Sequence, residues 1–370
     1  MQEIYVIGIE PLPTRYSAAW YYHVPKLIES EFTKQGKEVN VIIIDGDDVP
    51  PVTTPGAFLD FGATNIFKNS QMSTIAELFR QNKIKPNSKF LFTDAWNPTV
   101  LQLKYMSSLL QIPVEIHGLW HANSSDSFDF LGRLIGNKPW IKHAELSMFN
   151  CYDYNWFASR FYIGLFGSDL LDVRNIFRHV DLAEATMSSY KNIKLTGWPM
   201  EYLQNDLLAY STLTKKQQIC FPHRIAPEKQ LNIFEDLALA LPEYNWVVCQ
   251  KTPLTKHEYH TILGESKIVF SASNQETLGI STCFEGPLCN AIPLAPDRLS
   301  YSEIFKNYPE FLYPSEWTTD FNSYITHKNK LVNHIRMIMN SNLDDQIKKY
   351  TANDMLKYST ASELLTKLSS

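Results

Sequence analysis

The apolar positions of this chain fall in short runs, each closed by a glycine or a polar cluster, with longer stretches of helical spacing between them. Ile4-Tyr5-Val6-Ile7 stops at Gly8, and Val39-Asn40-Val41-Ile42-Ile43-Ile44 stops at Asp45-Gly46-Asp47. Such runs suit strands buried on both faces of a parallel sheet. Residues 17–34 between them read as a helix. Lys89-Phe90-Leu91-Phe92-Thr93, a helix over 100–110 and Pro113-Val114-Glu115-Ile116-His117 continue the alternation. Tyr154-Asn155-Trp156-Phe157-Ala158 and Ile193-Lys194-Leu195-Thr196-Gly197 read as the last strands of this half. Strand and helix in steady alternation predict a doubly wound α/β sheet.

A polar stretch over 209–218 reads as a linker, after which the pattern restarts. Gln218-Ile219-Cys220-Phe221, Asn245-Trp246-Val247-Val248-Cys249, Lys267-Ile268-Val269-Phe270-Ser271 and Ala291-Ile292-Pro293-Leu294-Ala295 are its strands. The expected division is a first Rossmann-like domain over 1–208, a second over 209–345, and a helical tail over 346–370 that can pack back on the first.

Bulk properties narrow the classes. Hydrophobic residues at 44% and charged residues at 20% are those of a soluble globular protein. Net charge of −5 and a pI near 6.1 argue against a large phosphate-backbone footprint, while leaving room for a local basic groove. Aromatics at 13% suit a heavy core or the lining of a sugar or base pocket. The five cysteines are odd in number and show no CxxC spacing, so neither a disulfide framework nor a zinc site is expected. The start of the chain lacks a basic region before an apolar run, and no apolar stretch is long enough to span a bilayer. A cytoplasmic protein without membrane insertion is the expectation.

Two segments of the second half carry chemistry. The first is Pro222-His223-Arg224-Ile225-Ala226-Pro227-Glu228-Lys229, directly after a strand. Open α/β sheets bind ligands at their strand C-termini, where an Arg fork and a Lys point charge can hold a diphosphate. Taken singly, both are ordinary solvated loop residues. The second is Glu276-Thr277-Leu278-Gly279, also between a strand and a helix, with Glu285 further along. Gly279 permits close backbone approach, and free N–H groups at the helix start favour a phosphate. The plainer role for Glu276 is to complete the first helical turn.

In this order the two segments resemble the family 4 retaining glycosyltransferases of the GT-B fold, which have a Gly-Arg…Lys loop, then a Glu-x-Phe-Gly turn and a second Glu. Here His223 stands in place of that Gly and Leu278 in place of that Phe. Eight residues rather than seven separate Glu276 from Glu285, so Glu285 keeps its role only if the helix start absorbs one residue. Val114-Glu115-Ile116-His117-Gly118, Trp156-Phe157-Ala158-Ser159 and Thr196-Gly197-Trp198-Pro199-Met200 resemble the family's first-domain landmarks. The resemblance implies two Rossmann-like domains facing across a cleft, and a nucleotide-sugar donor, UDP-sugar above all, with no other cofactor and no metal. Arg224 and Lys229 would neutralise the leaving diphosphate. Glu276, with Thr277, Leu278 and Gly279, would hold the transferred sugar, Glu285 the ribose, and His117 would lie near the anomeric centre.

On the acceptor side the same resemblance points to Arg15 and Tyr16 after the first strand, while Trp120, His121 and Asp126 follow the strand of His117 and can shape the cleft, a satisfied polar residue being the equal reading of His121. Asp126 and Asp129 are offered as bases, with turn and cap roles as their plainer reading. Asp45-Gly46-Asp47 has the form of a GT-A metal site but is also an everyday turn. Segments 116–122 and 129–133 look similar to glycosyltransferases of large tailed bacteriophages, which implies 5-hydroxymethylcytosine in DNA as an acceptor for glucose or arabinose. That role needs an exposed base held by aromatics, with Arg15, Tyr16, Trp20 and Trp120 as candidates. A surface-polysaccharide transferase, a sugar-nucleotide binder without turnover and a GT-B epimerase are the alternatives.

Overall fold

The computed structural model describes residues 1–12, 15–47, 59–173 and 181–370. Two compact units form: residues 1–199 with 361–370, and residues 200–360. The first unit has six parallel strands, β1 (Gln2–Ile7), β2 (Val39–Ile44), β3 (Lys89–Phe92), β4 (Glu115–Leu119), β5 (Tyr154–Phe157) and β6 (Ile193–Leu195), in the order β2-β1-β3-β4-β5-β6. The order reverses direction at β1, as in a doubly wound sheet. β3 is buried along its whole length, and Phe90 and Phe92 join Trp120, Phe157 and Phe166 in one core. The helix Trp20–Lys34 buries Trp20, Val24, Ile28 and Phe32, a stripe with a four-residue step.

The second unit has five parallel strands, β7 (Gln218–Phe221), β8 (Asn245–Val248), β9 (Ile268–Phe270), β10 (Ile292–Pro296) and β11 (Leu312–Tyr313), in the order β11-β10-β9-β7-β8. β7 and β9 are buried on both faces, which explains their apolar sequences after the hydrogen-bonded Gln218 that opens β7.

The division differs from the expected 208/209. The helix Tyr202–Leu207 buries Leu203 and Leu207 against the turns Ser281–Glu285 and Gly286–Leu288, and so belongs to the second unit. The tail is split as well. Residues up to 360 stay with the second unit, while the helix Ser362–Ser369 packs on the helix Trp20–Lys34. Its C-terminal carbonyls are gripped by buried Lys89, whose Nζ donates to Lys367, Leu368 and Ser370 at 3.2, 2.9 and 3.1 Å. A cation at that end also complements the helix dipole.

Candidate functional site

At the carboxyl edge of the second sheet, β7 ends at Phe221 and Pro222 cannot donate to a continuing ladder. The chain turns through the short 3-10 segment Pro227–Lys229, and Gln230 adopts a left-handed conformation with φ of 54° before the helix Leu231–Ala240. Gln230 pins this loop by donating to the carbonyls of Ala272 and Thr318, both at 2.6 Å. The Asn274 amide adds a bond to the Glu228 carbonyl at 2.8 Å. The two motifs, with Lys229 and Glu276 47 residues apart in sequence, therefore share one edge.

There the side chains pair. The Lys229 ammonium lies 2.7 Å from Glu276 Oε1 and also donates to the Gln275 carbonyl. His223 Nδ1 lies 3.5 Å from the same carboxylate oxygen. Arg224 reaches Glu228 Oε1 with Nη2 at 2.6 Å and Nε at 3.2 Å, one helical turn along the chain. Glu228 and Lys229 are buried, whereas Arg224 keeps part of its guanidinium in solvent. Burial is the largest single influence on the Glu276 carboxyl and would raise it, but Lys229, His223 and Arg224 together outweigh it and hold the group below the ordinary range. Burial pushes His223 down to about 4, against the pull of Glu276. At neutral pH the Glu276 carboxyl is thus ionised and the His223 imidazole neutral.

Thr277 and Leu278 are buried beside this cluster, Leu278 as a core residue. Gly279 has φ of +65°, and a Cβ there would meet Tyr301 Cε1 at 2.7 Å, so both conformation and space require glycine. The segment leading to Glu285 forms a π turn over Ser281–Glu285, closed by the Gly286 amide donating to the Ser281 carbonyl. A five-residue closure consumes one residue more than an α turn. Pro287 helps explain why it forms here. Without an N–H it cannot serve the Cys283 carbonyl, four residues back, which instead accepts the Tyr350 hydroxyl at 2.8 Å. Glu285 Oε2 accepts the Tyr259 hydroxyl at 2.7 Å, and His260 Nε2 lies 3.9 Å from Oε1.

In the first unit the expected residues separate. His117 lies mid-strand in β4 and is fully buried. Its Nε2 bonds Glu115 Oε1 at 2.9 Å, its Nδ1 accepts from Trp156 Nε1 at 3.1 Å, and Tyr154 and Trp156 stack on it. The histidine beyond the carboxyl end of β4 is His121. Its Nε2 meets the Thr93 carbonyl at 2.7 Å and its Nδ1 the Tyr16 hydroxyl at 2.6 Å. Trp198 stacks on His121 with ring centroids 4.6 Å apart. Burial lowers the His121 pKa.

Two aromatics expected at an acceptor surface are core residues instead. Trp120 is 0% exposed, donates to Asn155 Oδ1 at 2.8 Å and packs on Phe157 and Phe166; Trp20 is 1% exposed. Arg15 is buried against Glu10 at 3.0 Å. Asp126 accepts the Phe128 amide at 2.9 Å, and Asp129 caps the helix Phe130–Ile135. Asp45 takes the Tyr21 hydroxyl and the Gly46 amide, the contacts of a turn after β2. Tyr259, Tyr350 and Glu10 were not foreseen, and Glu228 and Trp198 stood within quoted segments without a role of their own. Only Glu228 carried a local signal, its four-residue spacing from Arg224.

No family model matches the chain, and no curated protein matches it in sequence. Its fold, however, recurs among solved structures. Sucrose-phosphate synthase from Thermosynechococcus elongatus superposes with a TM-score of 0.56 at 12% identity, over 99% of this chain and 100% of that one. The UDP-forming α,α-trehalose-phosphate synthase from Burkholderia xenovorans gives 0.58 at 8% identity, over 100% and 99%. HepE from Anabaena, solved in complex with UDP and glucose, gives 0.54 at 10% identity over the whole of both chains. With its six- and five-stranded parallel sheets, the chain has the GT-B fold.

Proposed function

We propose that the protein transfers a sugar from a nucleotide-sugar donor, a UDP-sugar, to an acceptor hydroxyl with retention of configuration. The observation that carries this reading is the edge cluster of the second sheet. Arg224 and Lys229 stand at strand C-termini, each held by its own carboxylate. A diphosphate takes their place as counter-ion, and Glu276, released from Lys229, accepts hydrogen bonds from the transferred sugar. Glu285 takes the donor ribose. As the anomeric C–O bond breaks, negative charge collects on the leaving UDP, and fixed cations stabilise it without reorganisation. The acceptor oxygen bonds to the anomeric carbon, and its proton passes to the departing phosphate oxygen. The nucleotide-bound neighbour and the synthases of the same fold support this reading.

In the first unit we assign the acceptor-side histidine to His121, with Tyr16, because His117 is enclosed mid-strand in β4 whereas His121 lies beyond its carboxyl end. The acceptor we put to the test first is the hydroxyl of 5-hydroxymethylcytosine in DNA, supported by the likeness of segments 116–122 and 129–133 to phage enzymes. Burial of Arg15, Trp20 and Trp120 leaves Tyr16, His121 and Asp126 of the expected acceptor contacts.

Calorimetry with UDP tests the donor site. Arg224→Ala and Lys229→Ala each weaken binding, and unchanged affinity in both removes the assignment. Radiolabelled UDP-sugars offered with hydroxymethylcytosine DNA and with saccharides test the rest. Label on a saccharide alone retires the DNA acceptor, and UDP binding without any label transfer retires catalysis.

A further inference from the structure

The turn that carries Glu285 is a π turn, and two tyrosine hydroxyls bond to it. Tyr350 satisfies the Cys283 carbonyl inside the π turn at 2.8 Å. Tyr259, from the helix Lys256–Glu265, spans the turn itself. Its hydroxyl oxygen lies 2.9 Å from Ser281 Oγ and 2.7 Å from Glu285 Oε2, the first and last residues of Ser281–Glu285. One phenol has one proton and a carboxylate only accepts, so the chain runs from the Ser281 hydroxyl to Tyr259 and from Tyr259 to Glu285. A relay of this kind polarises each successive bond.

The consequence falls on the carboxylate. A π turn swings its side chains away from the α-helical direction, and Glu285 has several rotatable bonds with which to drift. Tyr259 engages Oε2 and leaves Oε1, beside His260 Nε2 at 3.9 Å, with acceptor capacity for a ligand. Glu285 is therefore fixed by a group outside its own helix, and that group ties it to the start of the same turn.

We infer that Tyr259 is the positioning residue for Glu285: its hydroxyl bridges Ser281 and Glu285 across the π turn and so aims the carboxylate at the two ribose hydroxyls of a nucleoside diphosphate. This rests on the nucleotide-sugar reading above. Tyr259 does not touch the nucleotide. It acts on ribose recognition alone, and its removal leaves the phosphate contacts of Arg224 and Lys229 intact.

The experiment compares UDP with 2′,3′-dideoxy-UDP by calorimetry on the full chain. The wild-type protein prefers UDP by about ten-fold or more, the scale of a hydrogen bond to a charged group. Tyr259→Phe narrows that preference to about three-fold or less, while its affinity for dideoxy-UDP stays within about two-fold of wild type. Glu285→Gln, as the reference, narrows it at least as far. Ser281→Ala leaves the phenol ring packed and narrows the preference in the same direction by a smaller factor. A Tyr259→Phe preference equal to wild type overturns the inference, as does equal weakening of both nucleotides, which marks a merely structural loss. Wild-type protein that binds neither nucleotide overturns the nucleotide reading and this inference with it, whereas equal binding of UDP and dideoxy-UDP leaves the nucleotide reading standing and overturns this inference alone.

Discussion

Lys229 and Glu276 offer the sharpest test of the site, because each is the other's counter-ion in the unliganded protein. Their charged atoms are 2.7 Å apart, and their side chains are 6% and 16% exposed. At an effective dielectric of about 20 the gross attraction at that distance is ~6 kcal/mol. Desolvation offsets much of it, yet removing one partner strands the other and costs about 3–5 kcal/mol. Lys229→Met keeps the aliphatic bulk and leaves Glu276 buried beside a neutral His223, so the Glu276 pKa rises and urea unfolding moves down by about that amount. Lys229→Met with Glu276→Gln removes both charges and recovers most of the loss, giving a coupling energy of ~2 kcal/mol or more. Ligand binding separates the two residues further. Lys229→Met loses a charge-assisted bond to the diphosphate worth about 1.5–3 kcal/mol, or roughly 10- to 150-fold in UDP affinity. Glu276→Gln frees the ammonium from its competitor, so UDP affinity holds or improves while turnover falls. Calorimetry and urea titration on the three variants give the affinities and stabilities, and transfer of labelled sugar gives the turnover. The reasoning is refuted if Lys229→Met keeps both stability and UDP affinity, or if Glu276→Gln weakens UDP as much as Lys229→Met does.

Three further outcomes are expected. His223 titrates at about 4 in the folded chain against an ordinary 6.5, so the unfolded chain takes up its proton first, and the stability present above 6.5 drains as pH falls towards 4. His223→Gln flattens that part of the stability profile, by up to about 1 kcal/mol per pH unit, and identical slopes for wild type and variant contradict it. Gly279→Ala combines a left-handed residue with a Cβ 2.7 Å from the Tyr301 ring and lowers stability by about 2 kcal/mol or more; an unchanged unfolding midpoint speaks against that packing. If Arg224 and Lys229 supply the charge at the leaving group, transfer persists in excess EDTA, whereas activity lost to EDTA and restored by magnesium assigns that work to a metal.

The sequence is legible where local order carries the information. Alternating apolar runs and helical stretches announce both sheets, and the Arg224…Lys229 and Glu276…Gly279 segments stand out by following strands. Legibility fails where the answer depends on which end of a strand a residue occupies. His117 and His121 are four residues apart, and only the extent of β4 to Leu119 tells that one is held inside the sheet and the other beyond its carboxyl end. Trp120 next to His121 reads as surface until Asn155, Phe157 and Phe166 arrive from elsewhere in the chain to enclose it. The π turn shows in sequence only as a miscount between two acids, and Pro287, its plainest local cause, reads equally well as an ordinary helix start. No spacing rule links Lys89 to Leu368, 279 residues away.

That last contact bears on how the molecule is made. A chain leaving the ribosome N-terminus first presents the six strands of the first sheet early. The helix Trp20–Lys34 still waits for its cover, and the Lys89 ammonium for its carbonyls, until residues 361–370 emerge. The second unit, contiguous over 200–360, can complete itself in between. The half that is translated first is thus the half that is finished last. A premature stop near residue 360 spares the nucleotide-binding candidate and leaves the other sheet with an open seam.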